Sequence, residues 1–300
     1  MVSAEKIQLL REKISEADAI VVGGASGMSA ASGFVFYYKD DEVYRRLAGG
    51  LAQKYGIHSM FDAFYDRRLT AGERWAVILR TTRYIYECGT GGTYRDLAEL
   101  LEDRNYYVVT TNQDAQFFRV FPTRNITRIQ GDWRYWQCSL PCHDGIYDNH
   151  DEVMWLCDAI CGDALPEKLI PRCPHCGAPM EPWVRSHVFL QGKFYHREMK
   201  RYRDFLEKHR QGKVLFLELG VGMMTPMFIK EPFMNMVCQW PHAFYATVNP
   251  QHAFVPEEIA GRSLAIDDDI AVTLRQLLGK STAEVKPFDE RDLFNPSRVY

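Results

Sequence analysis

Apolar positions Ile7, Leu10, Ile14 and Ala17 recur at helical spacing, so the chain opens with an amphipathic helix. The apolar run 19–22 then predicts a short buried strand that glycines end. From about 40 to 104 the pattern is mainly helical. Trp75, Ile78, Leu79, Thr82 and Ile85 share one face, and Tyr94, Leu97, Ala98 and Leu101 share another. Thr93 with Asp96, just after Gly91 and Gly92, predicts a helix N-cap with an acidic partner. Further strands are predicted at 106–110, 214–219, 244–248 and 264–266. Phe194, Met199, Tyr202 and Leu206 fall broadly on one side of another helix, and 267–278 closes as a helix with acids at its N-terminal end. Strands alternating with helices predict an α/β fold, a parallel sheet with helices covering both faces. Residues 133–182 carry several prolines and little periodicity, and stand apart as a smaller module.

Composition narrows the class. With 300 residues, 46% of them hydrophobic and 25% charged, the chain is an ordinary folded protein. Lys plus Arg is 36 and Asp plus Glu 39, a net charge of −3 that excludes nucleic acid as the main partner. Residues 19–38 carry no charge, but Gly23, Gly24, Gly27 and Gly33 interrupt them with Ser26, Ser29 and Ser32. Such a stretch reads as strand, turn and helix start, not as a membrane span. The opening MVSAEKIQLLREK lacks the apolar run of a secretory signal. The expectation is a cytoplasmic protein with no membrane association.

Eight cysteines in such a chain point to metal or free thiols rather than disulfides. Cys138, Cys142, Cys157, Cys161, Cys173 and Cys176 cluster in the small module. Cys173-Pro-His-Cys176-Gly is a metal-binding hairpin, because tetrahedral zinc takes thiolates in close pairs. Cys138 with Cys142 is the preferred second pair, and Cys157 with Cys161 is a rival with the same internal spacing. Four thiolates leave no open position, so a Zn2+ held there is structural. The turn VVGGASGMSAASG sets glycines between a strand and a small-residue helix, where backbone N–H groups can meet a pyrophosphate. Taken alone, it serves equally as a strand-to-helix connection with no ligand.

The order of GASGMSAASG, TTNQD at 110–114, RIQGD at 128–132 and the paired cysteines resembles the sirtuins, with ELGVG around Gly220 and VNP around Asn249 at later nucleotide loops. The resemblance covers about 19–270. It implies a Rossmann-like NAD-binding domain over 1–132 and 214–300, with a helical insertion at about 40–104 and the zinc module at 133–213. It also implies that Gly24, Ala25, Ser26, Gly27 and Ser29 form the phosphate turn. Asn112, Gln113 and Asp114 would lie by the nicotinamide ribose, and Gly220, Gly222, Asn249 and Asp267 by the adenosine half. For Asn112 and Asp114 the plain alternative is a turn that caps the next helix.

Departures from the pattern sharpen the expectation. Lysine-deacylating sirtuins carry a histidine base where this chain has Gln130 before Gly131, and an amide cannot act as a base. Their acidic and arginine positions after the turn are here Phe36 and Tyr38. These features resemble class M, the macrodomain-linked sirtuins. That implies protein ADP-ribosylation of a lipoylated, glycine-cleavage-H-like carrier, reversed by a macrodomain hydrolase, with Asn112 and Gln130 as the catalytic pair. A baseless NAD-dependent deacylase and a non-catalytic NAD or ADP-ribose sensor are the competing readings. Met223, Met224, Met227, Met234 and Met236 read first as core filling, and alternatively as a pliable groove for a lipoyl arm.

Overall fold

A computed structural model describes residues 3–37, 39–283 and 285. Nine strands run through them: β1 Ala19–Gly24, β2 Tyr106–Thr110, β3 Ile126–Arg128, β4 Gly131–Cys138, β5 Ile146–Asp148, β6 Met180–Val184, β7 Val214–Leu219, β8 Phe244–Val248 and β9 Ser263–Ile266. The chain divides into two compact units. Among the described residues the first joins 3–33, Thr90–Gln130 and 196–285; the second joins Phe34–Gly89 and Gly131–Tyr195. The helices over 42–87 therefore group with the cysteine-bearing segment and the helix Lys193–His209 largely with the parallel sheet, the reverse of the sequence reading.

The first unit is a six-stranded sheet in the order β3-β2-β1-β7-β8-β9. Every neighbouring pair is parallel. β1 and β7 are buried along their whole length, so alternate residues feed two cores. Ile20, Val22, Leu215 and Leu217 pack with Ile7, Leu10 and Ile14 of the helix Ala4–Glu16 and with Leu274 of the helix Ile270–Leu277. Ala19, Val21, Val214 and Phe216 pack instead with Phe233 and Val237 of the helix Lys230–Gln239 and with Tyr202. Helices thus cover both faces, as the alternating pattern predicts. Removing one such aliphatic side chain to alanine costs about 2–5 kcal/mol.

One expected cap differs. The helix Gly92–Leu100 starts at Gly92, so Thr93 lies inside it and donates to the Ala31 carbonyl at 2.8 Å. Asp96 receives Lys280 at 2.9 Å instead of capping. The Gln116 side chain, which accepts from Gly91 N–H at 2.9 Å, secures the helix entry and leaves Thr93 free for another role.

The second unit has more regular structure than its sequence announces. Its three-stranded antiparallel sheet runs β5-β4-β6. The helix Ala71–Glu87 packs Trp75 edge-on against Trp136 of β4, at 5.2 Å between ring centres. A complete capping box opens that helix, with Thr70 and Glu73 each accepting from the other's backbone N–H. No helix among the described residues is long and apolar enough to cross a membrane.

Candidate active site

All six strands of the parallel sheet point their C-terminal ends to one edge, and the loops that leave this edge carry the predicted site residues. The chain passes from β1 outward to β2 and β3, then returns to the other side of β1 as β7. The loops after β1 and β7 therefore diverge at a switch point, the usual ligand crevice of open α/β sheets. There Gly27 N–H donates to the Gly220 carbonyl at 3.1 Å. A Cβ on Gly27 would stand 2.6 Å from Gly220 Cα, and Gly220 takes a φ of +69°, so both positions require glycine.

The turn after β1 is closed by the protein itself. Ala25 N–H donates to the Leu219 carbonyl at 3.2 Å, and Gly24 accepts from Thr111 N–H and the Thr110 hydroxyl. The N–H groups of Ala25 and Gly27 are thus already engaged, while Ser26 faces solvent. A Cβ on Gly24 would enter the Phe117 ring, so that glycine answers first to packing.

A four-residue polar network lies just beyond. Asn112 Nδ2 donates to the Ala25 carbonyl at 2.9 Å and reaches Ser29 Oγ at 3.0 Å and the Tyr94 hydroxyl at 3.2 Å. Ser29 Oγ donates to Asp114 Oδ2 at 2.5 Å and meets the Tyr94 hydroxyl at 3.2 Å. Asp114 Oδ1 accepts Gln116 N–H at 3.1 Å, so it caps the following turn and serves the network at once. The capping reading of TTNQD thus holds for Asp114. Asn112 Oδ1 accepts no hydrogen bond among the described residues and remains available to a ligand. Gln113 Nε2 donates to the Gln130 carbonyl at 2.9 Å, which ties TTNQD to the start of QGD. The Gln130 amide itself has no bond among the described residues.

Tyr94 is the residue that sequence reasoning passed over. It sits on the buried face of its helix, as expected of core, yet its hydroxyl contacts Ser29, Asn112 and Asp114. Burial holds its pKa well above the usual tyrosine value, with the Asp114 charge adding to the effect. It stays a neutral hydroxyl. The signal was available: a buried tyrosine needs a partner for its O–H.

Asn249 fixes the loop after β8. Its Nδ2 donates to the Val221 carbonyl at 3.0 Å, and its Oδ1 accepts from the N–H groups of Gln251 and His252. Gly222 has only His252 Cδ2, at 3.9 Å, near its missing Cβ, so the loop leaves room there. Asp267 follows β9 with its carboxylate 82% exposed, 3.6 Å from Lys6, and makes no bond to the network. Of the methionines, Met234 is buried and Met236 packs on the core, while Met223, Met224 and Met227 are exposed. The core reading thus covers two of them. Phe36 is buried edge-on against Tyr84 in the second unit, and Tyr38 lies outside the described residues.

In the second unit the sulfurs of Cys138, Cys142, Cys173 and Cys176 lie within 4.8 Å of one another. Cys138 Sγ is 3.5 Å from Cys176 Sγ, and Cys142 Sγ is 3.7 Å from Cys173 Sγ. Thiolates at 2.3 Å from a tetrahedral zinc stand about 3.8 Å apart, so the set fits that ion. Gly177, at φ +73°, closes the second hairpin by donating to the Cys173 carbonyl. His143 supports the cluster. Its Nδ1 accepts from Gly145 N–H at 2.8 Å, which leaves the Nε2 proton facing Cys173 Sγ at 3.5 Å. The rival cysteines lie outside the cluster: burial pushes the Cys157 thiol up to about 11, and Cys161 is exposed.

No family model matches the chain. A protein ADP-ribosyltransferase of Staphylococcus aureus (strain Mu50 / ATCC 700699) is 33% identical over 279 residues, 91% of this chain and 87% of the relative. The chain belongs to the sirtuin-type protein ADP-ribosyltransferases. A second relative of this family, named "Probable bifunctional ADP-ribose hydrolase/ADP-ribosyltransferase" in Fusarium oxysporum f. sp. cubense, is 26% identical over 288 residues; the chain spans 47% of its length. Solved sirtuins share the fold. One, from work on sirtuin substrate affinity, superposes with a TM-score of 0.60 at 16% identity, covering 93% of this chain and 99% of its own. Sir2 bound to an acetylated peptide gives 0.59 at 15% identity, covering 91% and 97%. A mutant Sir2 homologue in complex with ADP-ribose gives 0.56 at 16%, covering 91% and 95%.

Proposed function

We propose that this chain transfers ADP-ribose from NAD to an acceptor protein and releases nicotinamide, the acceptor being a lipoylated carrier of the glycine-cleavage-H kind. A macrodomain ADP-ribose hydrolase removes the mark in the same pathway, a reading that the bifunctional name of the fungal relative supports. The observation that carries the proposal is the Ser29–Tyr94–Asn112–Asp114 network at the switch point, accompanied by an amide and not a base at Gln130.

Bound NAD would supply an anomeric carbon that becomes positive as nicotinamide leaves. The chain's part is to hold and orient. Asn112 is fixed on its nitrogen side by Ala25 and Ser29, so its free oxygen can accept from a ribose hydroxyl in one orientation. Asp114, itself anchored by Ser29 and Gln116, offers a fixed negative charge to the developing cation. Gln130 can donate and accept but cannot take a proton. That suits an acceptor already ionised near neutrality, such as a carboxylate, which needs no base. The exposed Met223, Met224 and Met227 offer pliable apolar surface suited to a lipoyl arm. Zn2+ on Cys138, Cys142, Cys173 and Cys176 would have no open position and would serve the fold alone.

The test sets acetylated peptides and lipoylated carrier side by side with NAD and follows products by mass spectrometry. Labelled carrier with negligible deacetylation is the expected result. Robust deacetylation without labelling would move the assignment to a deacylase, and NAD binding with no nicotinamide release would move it to a sensor.

A further inference from the structure

A second buried polar cluster in the sheet unit lies apart from the Asn112 network. Glu218 on β7 and Lys230 on the helix Lys230–Gln239 are 0% and 1% exposed and pair at 2.7 Å. The Tyr245 hydroxyl donates to Glu218 Oε2, and the Thr247 hydroxyl donates to Oε1 at 3.0 Å, both from the adjacent strand β8. The Lys230 ammonium donates a further bond, at 3.1 Å, to the backbone carbonyl of His252, and it sits 5.3 Å from the Phe254 ring centre.

Taking two charges out of water costs several kcal/mol per ion, and a well-packed apolar pair of the same volume often stabilises a fold as well or better. Stability alone therefore gives no reason for charge here. What an apolar side chain could not do is hold a loop carbonyl. Asn249 secures the start of the loop after β8 through Val221, Gln251 and His252; beyond that point Lys230 is its fastening to the sheet. The same loop brings His252 to 3.9 Å from the open side of Gly222.

We infer that Lys230, oriented by Glu218, Tyr245 and Thr247, is a positioning residue that fixes the 249–254 loop for nucleotide binding. The inference rests on the reading of these loops as the adenosine half of the NAD site. It assigns Lys230 no contact with the ligand; Lys230 acts through the His252 carbonyl.

Three variants test it: Lys230→Met, Lys230→Gln and the double variant Glu218→Gln with Lys230→Met. NAD affinity is read by calorimetry, and amide exchange of 251–254 by mass spectrometry. The double variant, free of buried charge, is expected to melt within about 5 °C of the wild type. It should nonetheless bind NAD at least about fivefold more weakly, with faster exchange across 251–254, because the loop must now be ordered on binding. Lys230→Gln keeps an N–H donor and should recover part of the affinity that Lys230→Met loses. Unchanged affinity and unchanged exchange in a folded double variant would overturn the inference. Should the variants fail to fold, wild-type exchange decides. Protection of 253 and 254, beyond the N–H groups that Asn249 holds, like that of the neighbouring helix supports the tether, and open-loop exchange there refutes it. A wild-type protein that binds no NAD would sink the nucleotide reading while leaving the exchange comparison intact.

Discussion

The parallel-sheet unit and the cysteine-bearing unit hold their polar loops still by different means. In the first, the loops leave a sheet buried on both faces, and side chains such as Asn112 and Asn249 bind the backbone of the neighbouring loop directly. In the second, two hairpins face each other through four sulfurs, of which Cys142 and Cys176 are exposed. Four sulfurs so close fit a single metal ion, and with zinc bound that arrangement would draw its strength from an atom the chain does not encode. The lesson concerns how damage spreads. Loss of one side chain in the sheet unit removes a local bond, whereas loss of one sulfur in the second removes a shared centre.

The sharpest break of this comparison is Cys173→Ala. Zinc per chain should fall from one to near zero, and the second unit should lose protection from proteolysis, since structural zinc contributes about 10–16 kcal/mol of apparent binding energy. Metal analysis and limited proteolysis read both effects. Full zinc in a Cys138→Ala, Cys142→Ala double variant would hand the site to Cys157 and Cys161.

In the sheet unit, Asn112→Ala should lower nicotinamide release at least about a hundredfold, because it removes an oriented polar group of the site. The melting temperature should fall only a few degrees, the cost of the Ala25 carbonyl left without its donor. Turnover within a few-fold of wild type would show that the nicotinamide end lies elsewhere.

Tyr94→Phe is a milder probe of the same network. It keeps the ring packed against Phe117 and deletes only the hydroxyl. The expectation is roughly a tenfold loss of kcat with about 1 kcal/mol of stability lost, measured by initial rates and urea unfolding.

The smallest expected effect lies in the second unit, where Glu73 caps the helix Ala71–Glu87. Its bond from Lys54, with further help from Thr70 and Tyr55, holds its carboxyl down to about 2 from an ordinary 4.5. A depressed carboxyl stabilises the fold fully above its unfolded pKa and loses that contribution as protons bind the folded form. Glu73→Gln should therefore destabilise by about 1 kcal/mol at pH 7. The difference from wild type should shrink as pH falls from 4.5 toward 2. A gap independent of pH over that range would mean the carboxylate charge contributes nothing.

Legibility differed between the units for a physical reason. β2, β7 and β8 have the very bounds that their apolar runs predict, because strands covered on both faces are mainly apolar, with Glu218 on β7 a paired exception. β3, only Ile126–Arg128, was too short to register, and Arg128 on it is buried against Glu198, a pairing no local pattern announces. In the cysteine-bearing unit, β4 runs Gly131–Cys138 with polar and aromatic residues mixed, so its strand character escaped notice. Gly131, at φ +84° with the Trp183 carbonyl 1.9 Å from where a Cβ would stand, was read for its motif and not for this contact.

The sequence by itself determined the parallel sheet, the helices that cover it and the preferred cysteine pairs. These follow from periodicity and spacing, which are properties of neighbours along the chain. Only the tertiary structure decided that Tyr94 joins Ser29, Asn112 and Asp114, that Thr93 turns to Ala31 instead of capping its helix, and that Lys230 reaches Glu218 and the His252 carbonyl. Each of these contacts joins segments brought together by strand pairing. A buried hydroxyl or ammonium must find its partner among whatever groups that pairing delivers.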